Sequence, residues 1–132
     1  MFFDIFAAKI KALCYGKHEI LHLACTDDAD GMRSELKAIN ELYPEWQDET
    51  GVRIIIVSID DAQNAQKVKP MVDGMGWEYD VLLDPNGDFK RAMNVQSVPH
   101  VFVLDGKGNI VHNHSGYTDG AETELYDIIK NL

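Results

Sequence analysis

The two cysteines are the strongest nucleophiles that this sequence offers. Cys14 and Cys25 lie eleven positions apart, which fits neither the Cys-x-x-Cys spacing of redox pairs nor a common zinc pattern. Cys25 ends a short apolar run, and a free cysteine on such a run is usually a buried, unreactive thiol. We therefore predict a structural role for Cys25. Thiol chemistry by Cys25 alone and a Cys14–Cys25 disulfide are the alternatives.

Three aspartates crowd the turn that follows this run. Asp27, Asp28 and Asp30 precede a helical pattern, where carboxylates accept backbone N–H bonds and offset the helix dipole. The segment lacks the ligand spacing and the distal glutamate of a calcium loop. We therefore interpret these aspartates as a helix N-terminus rather than a cation site.

Histidines form the second group with chemical potential. His112 and His114 are two apart on a predicted strand, so they face the same side of it. Two ligands do not define a metal site, and the pattern brings no further ligand to them. An exposed strand face is the favoured interpretation, and no metal or cofactor is predicted. His22, on the first apolar strand, is predicted to be a core residue.

Composition limits the partners. The chain has 132 residues, 45% of them hydrophobic, which fits one compact domain. A formal net charge of −10 argues against a nucleic-acid or anionic-membrane partner, because phosphates would be repelled. No segment approaches the roughly 20 apolar residues that a membrane span needs.

The first residues form a separate pattern. Phe2, Phe3, Phe6, Ile10 and Leu13 follow helical spacing, which predicts an amphipathic helix over 1–15 that packs on a domain of residues 16–132. An acidic residue near the start and two lysines within the apolar run make this segment a poor signal peptide.

Strand and helix patterns alternate along the domain. The continuous apolar runs 19–25 and 52–59 are typical of central parallel strands. A helix is predicted over 32–49 with an internal Pro44, and a second over 62–75 with an internal Pro70. A short strand, a brief helix, an antiparallel hairpin and a final helix follow, at 79–84, 89–93, 100–114 and 120–131.

The residues from 95 to 111, Val-Gln-Ser-Val-Pro-His-Val-Phe-Val-Leu-Asp-Gly-Lys-Gly-Asn-Ile-Val, resemble the proline segment of thioredoxin-fold proteins. The similarity is greatest to the TlpA/ResA-like thiol:disulfide oxidoreductases, and it extends to 33–36, to 82–95 and to 116–120. The resemblance implies an α/β, thioredoxin-like fold with a central mixed sheet, βαβ then ββα, flanked by helices. It also implies a bacterial protein of the periplasm or cell envelope.

The family's catalytic cysteines have no counterpart in this sequence. Alignment from the first strand places them at Asp28 and Gly31, whereas alignment from the helix places them at Ala29 and Met32. Neither register supplies a thiol, so disulfide exchange lacks its nucleophile. One further possibility is that the region before Met32 has been altered while the rest stayed family-like.

The proline segment does not depend on those cysteines. The resemblance implies that the Val98–Pro99 bond is cis and that Val98, Pro99 and His100 line a groove for an extended peptide. The turn would also persist if the fold alone required it. The favoured hypothesis is a non-catalytic module that binds a peptide or a partner protein. The alternative is a thiol–disulfide oxidoreductase-related enzyme that acts through Cys25.

Overall fold

A computed structural model describes residues 18–24, 29–107, 109–116 and 120–132. Strands and helices alternate through most of this part of the chain, as predicted. The elements are β1 Glu19–Ala24, α1 Ala29–Thr50, β2 Arg53–Ser58, α2 Ala62–Ala65, α3 Val68–Gly74, β3 Asp80–Leu83, α4 Asp88–Ala92, β4 His100–Leu104, β5 Ile110–Ser115 and α5 Ala121–Lys130.

The described strands form one mixed sheet in the order β3-β2-β1-β4-β5. β1 and β3 pair with β2 in parallel, whereas β4 pairs with β1 and β5 in antiparallel fashion. β1 and β2 are central, as their continuous apolar runs indicated. The sheet therefore consists of a parallel βαβ half and an antiparallel ββα half, which confirms the predicted thioredoxin-like fold.

Both faces of the sheet carry an apolar cluster. On one face, Leu36, Ile39, Tyr43 and Trp46 of α1 form a buried stripe at helical spacing, packed against β1, β2, β4 and α5. The other face carries a second cluster, whose members are Leu21, Leu23, Ile55, Val57, Phe89, Val95, Phe102 and Leu104. Burial on both faces explains why β2 is apolar without alternation.

The predicted helix over 62–75 is wrong in one respect, because the structure has two short helices, α2 and α3, in that range. The Asp61 side chain caps α2 by accepting a hydrogen bond from the Asn64 amide. Pro70 lies in the first turn of α3, where a missing N–H breaks no helical bond. Pro44, in contrast, lies inside α1, which continues to Thr50.

Several predictions concern residues outside the described ranges. The amphipathic helix over 1–15, Cys14, Cys25, Asp27 and Asp28 all fall there. The same holds for the side chain of Asp30, so the N-terminal role of the three aspartates stays a prediction. Within the ranges that are described, none of the helices has the length and apolar character needed to span a membrane.

Candidate functional site

The segment Gln96–His100, called here the Val98 segment, joins α4 to β4. The buried Asp84 carboxylate holds the start of α4, because it accepts hydrogen bonds from the Phe89 and Lys90 amides at 3.1 and 3.0 Å. These bonds satisfy N–H groups at the first turn of α4 that have no helical acceptor. Asp84 was not among the residues predicted for the site. An aspartate just before a Pro-Asn-Gly turn and a helix was the available signal.

The Val98 segment is held by hydrogen bonds at the residue before it and at Pro99, and it is accessible between them. Val95 is buried, its amide donates to the Lys90 carbonyl at 3.0 Å, and the Pro99 carbonyl accepts from the Gly116 amide at 2.8 Å. Gln96 is exposed and Val98 is half-buried. The Val98–Pro99 peptide bond is cis. Within the described part of the chain, no backbone hydrogen bond involves Val98.

His100 is the last residue of this segment and the first residue of β4. Its ring stacks on Phe102 with the centroids 4.6 Å apart. The Nε2 atom of His100 is buried and has no hydrogen-bond partner among the described residues. Within this segment, Pro99 is buried, and its neighbours Val98 and His100 are half-buried.

A buried contact between a histidine and a glutamate lies on the sheet face that α1 covers. Nε2 of His22, on β1, is 3.1 Å from Oε1 of Glu35, on α1, and both side chains are fully buried. The contact lacks hydrogen-bond geometry, and no other described residue hydrogen-bonds to either side chain. The predicted core position of His22 is confirmed. The role of Glu35 was not predicted, although Glu35 lies one helical turn before the buried Ile39.

His112 and His114 lie beside this pair, and the predicted exposed strand face is wrong. Both side chains are half-buried, whereas Val111 and Asn113 are exposed. The register of the strands explains the difference. His22 of β1 pairs with Val101 of β4, and Val101 pairs with His114 of β5. These three side chains therefore share the sheet face that α1 and α5 cover. Nδ1 of His114 lies 3.4 Å from Nε2 of His112.

His22, Glu35, His112 and His114 are called the histidine–glutamate cluster below. Burial lowers the pKa of His114, and His112 and His22 act in the same direction, whereas Glu35 and Glu124 oppose the decrease. A neutral imidazole is therefore favoured in the folded protein.

This decrease in pKa predicts a pH dependence of stability. The unfolded chain binds a proton at His114 more readily than the folded chain. The contribution of neutral His114 to the stability of the fold is therefore fully present above about pH 6.5 and is lost as the pH falls below it. We expect the melting temperature to decrease less between about pH 7.5 and about pH 5.5 in His114→Gln than in the parent chain. An equal decrease in both proteins would contradict this assignment.

The start of α1 carries three of the four positions predicted to match the family cysteines. Ala29, Gly31 and Met32 lie in its first turn, and no cysteine occurs after Cys25 in the sequence. In the described ranges, no three side chains of histidine, cysteine, aspartate or glutamate are arranged to hold a metal ion.

Comparison with known proteins gives close and distant relatives. The model of the AhpC/TSA family matches residues 8–113. An uncharacterized thioredoxin-like protein from Porphyromonas gingivalis is 61% identical, with a TM-score of 0.80 over 89% of this chain and 76% of that chain. StoA from Bacillus subtilis shares the fold, with 21% identity and a TM-score of 0.70 over 86% of this chain and 82% of that chain.

Curated relatives include the thiol-disulfide oxidoreductase ResA of Bacillus anthracis, which is 30% identical over 92 residues, 70% of this chain and 51% of that protein. The thioredoxin-like protein YneN of Bacillus subtilis is 30% identical over 93 residues, 70% of this chain and 53% of that protein. The chain spans about half the length of the curated relatives it matches. The fold, the matching family model and these relatives agree, and the chain belongs to the AhpC/TSA family of thioredoxin-like proteins.

Proposed function

We propose that this chain is a thioredoxin-like domain that binds an extended peptide, or an extended segment of a partner protein, at the Val98 segment without thiol catalysis. The observation that carries the proposal is the backbone of Val98, which no described residue hydrogen-bonds. An extended ligand would pair with this backbone as an added strand does, and its alternate side chains would contact Val98 and His100.

The Val98 segment suits a binding surface because its ends are held. The Lys90 carbonyl and the Gly116 amide fix residues 95 and 99, and Val98 packs partly against the second apolar cluster. A surface that is already ordered loses little conformational entropy when a ligand binds. The ordered backbone would therefore favour affinity for chains that are themselves flexible.

Charge favours one kind of ligand. The formal net charge of −10 attracts cationic segments and repels acidic ones, chiefly through the association rate. A basic unfolded chain is therefore the appropriate probe, and its binding should weaken as salt is added.

Thiol catalysis is left out of the proposed function because of the residues that align with the family cysteines. Asp28 and Gly31 in one register, or Ala29 and Met32 in the other, replace the two family cysteines. Disulfide exchange needs a thiolate at the attacking position, and none of these four residues supplies one.

Val98→Asp tests the binding surface, with Leu82→Asp as its matched control. Both residues are partly buried aliphatic side chains that pack against the second apolar cluster, but only Val98 lies in the proposed groove. The probe is reduced, carbamidomethylated ribonuclease A, a cationic chain without a fixed fold. We expect Val98→Asp to weaken binding about tenfold in calorimetry, and Leu82→Asp to leave it nearly unchanged.

The added charge does not explain this difference, because both variants gain one carboxylate and a carboxylate attracts the cationic probe. Circular dichroism spectra and melting temperatures show whether both variants remain folded. Equal binding by Val98→Asp and the parent chain, or no binding by the parent chain, would remove the Val98 segment from the account.

Similarity to ResA, a thiol-disulfide oxidoreductase, favours a second candidate. In that hypothesis the chain is an enzyme that acts through Cys25, the thiol nearest to α1 in the sequence. Turnover that disappears in Cys25→Ser distinguishes this enzyme from a binding module.

A further inference from the structure

The histidine–glutamate cluster adjoins the Val98 segment through the sheet. His22 pairs with Val101 and Leu23 pairs with His100 across β1 and β4. On the other side of β4, Val101 pairs with His114 and His100 pairs with Ser115. The cluster thus lies one residue along the sheet from the start of the proposed groove.

The residue that follows β5 also holds the groove directly. Gly116, two residues after His114, donates its amide to the Pro99 carbonyl at 2.8 Å. Because β5 is the last strand in the described sheet order, its outer side is not paired with another described strand. Movement of His114 would therefore move the donor that fixes Pro99.

Charged and titratable groups face His114 from every element packed against it. His22 comes from β1, Glu35 from α1, His112 from β5 and Glu124 from α5, and all four act electrostatically on it. Glu122 of α5 also has a buried Oε2 atom without a hydrogen-bond partner among the described residues.

Proton uptake changes what His114 requires. A neutral imidazole donates from one nitrogen and accepts at the other, whereas the protonated ring donates from both. Nδ1 of His114 faces His112 at 3.4 Å, but its Nε2 atom is buried without a partner among the described residues. The protonated ring must move toward water to satisfy that second N–H group.

We propose that the histidine–glutamate cluster makes peptide binding sensitive to acid: proton uptake at His114 releases the end of β5 from β4 and weakens binding at the Val98 segment. This inference rests on the proposed function, since it concerns the regulation of the same site. Histidine changes its charge in the pH range where such regulation occurs. The element that changes state is the partly buried cluster next to an edge strand.

Calorimetry with reduced, carbamidomethylated ribonuclease A at about pH 7.5 and about pH 5.5 tests the inference. We expect the parent chain to lose about fivefold or more in affinity at the lower pH, which is the size of a weak allosteric coupling. His114→Gln keeps a neutral side chain and should show little pH dependence. His112→Gln removes a ring that disfavours proton uptake at His114, so its decrease should be at least as large as that of the parent chain.

His18→Gln is the matched control, because His18 is also half-buried but precedes β1 and is not part of the cluster. It should keep the pH dependence of the parent chain. Protonation of histidines on the probe raises its positive charge and strengthens its attraction to this acidic chain, so it opposes the expected effect. Equal pH dependence in the parent chain and His114→Gln would overturn the proposal.

NMR distinguishes failure of the inference from failure of the proposed function. In a pH titration without any ligand, the amide signals of Val98 and Gly116 should change with the same midpoint as the His114 ring, and these changes should be absent in His114→Gln. If the parent chain binds no probe at either pH, the proposed function fails and this titration alone decides the coupling. Unchanged amide signals of Val98 and Gly116 would overturn the inferred coupling between His114 and the Val98 segment.

Discussion

Glu35→Leu should lower the free energy of unfolding by about 3–5 kcal/mol, because it leaves His22 buried without its partner. The two side chains are fully buried and 3.1 Å apart, so water does not replace the lost carboxylate without opening the packing between β1 and α1. Urea denaturation followed by circular dichroism measures the change.

The control for this prediction is the double variant His22→Leu with Glu35→Leu. Removing both polar groups from an apolar environment is often neutral or stabilising, so the double variant should recover to within about 1 kcal/mol of the parent chain. A double variant as unstable as Glu35→Leu would show that packing around Glu35, rather than its pairing with His22, accounts for the loss.

Trp46→Ala should cost about 3–5 kcal/mol, the usual range for truncating a buried aromatic side chain. Trp46 is 2% exposed and stacks on Tyr126 with the ring centroids 5.7 Å apart, so it joins α1 to α5. Trp46→Phe keeps an aromatic ring in the same place and should cost less. Thermal and urea denaturation compare the three proteins.

A loss of less than about 1 kcal/mol in Trp46→Ala would contradict the tight packing of α1 on α5, because it would mean that no cavity forms. Fluorescence is unsuitable for this comparison, since the substitution removes one of the two tryptophans. Circular dichroism reports the helices of all three proteins equally.

Local patterns were sufficient to predict most of the fold. The uninterrupted β-branched residues of β2 predicted a strand buried on both faces, and the stripe that begins at Leu36 predicted which side of α1 packs on the sheet. The division between α2 and α3 was missed because helical spacing continues across it. Pro70 was the usable signal, since proline favours the first turn of a helix.

The site was harder to predict because tertiary pairing determines it. Period-two spacing places His112 and His114 on one side of β5, but only the register with Val101 and Val103 shows which side that is. The pairing of His22 with Glu35 joins a strand to a helix thirteen positions later, and no local pattern encodes such a contact. The Val98 segment, in contrast, is continuous in the sequence and could be identified there.

The central claim is that this thioredoxin-like domain binds extended chains and does not exchange disulfides. Insulin disulfide reduction with dithiothreitol tests the claim most directly, with the parent chain and Cys25→Ser at equal concentration. We predict that both proteins leave the rate equal to that of dithiothreitol alone, because neither predicted alignment of the sequence places a thiol at the positions of the family cysteines. Turnover by the parent chain above that rate, lost in Cys25→Ser, would contradict the claim and identify Cys25 as the nucleophile.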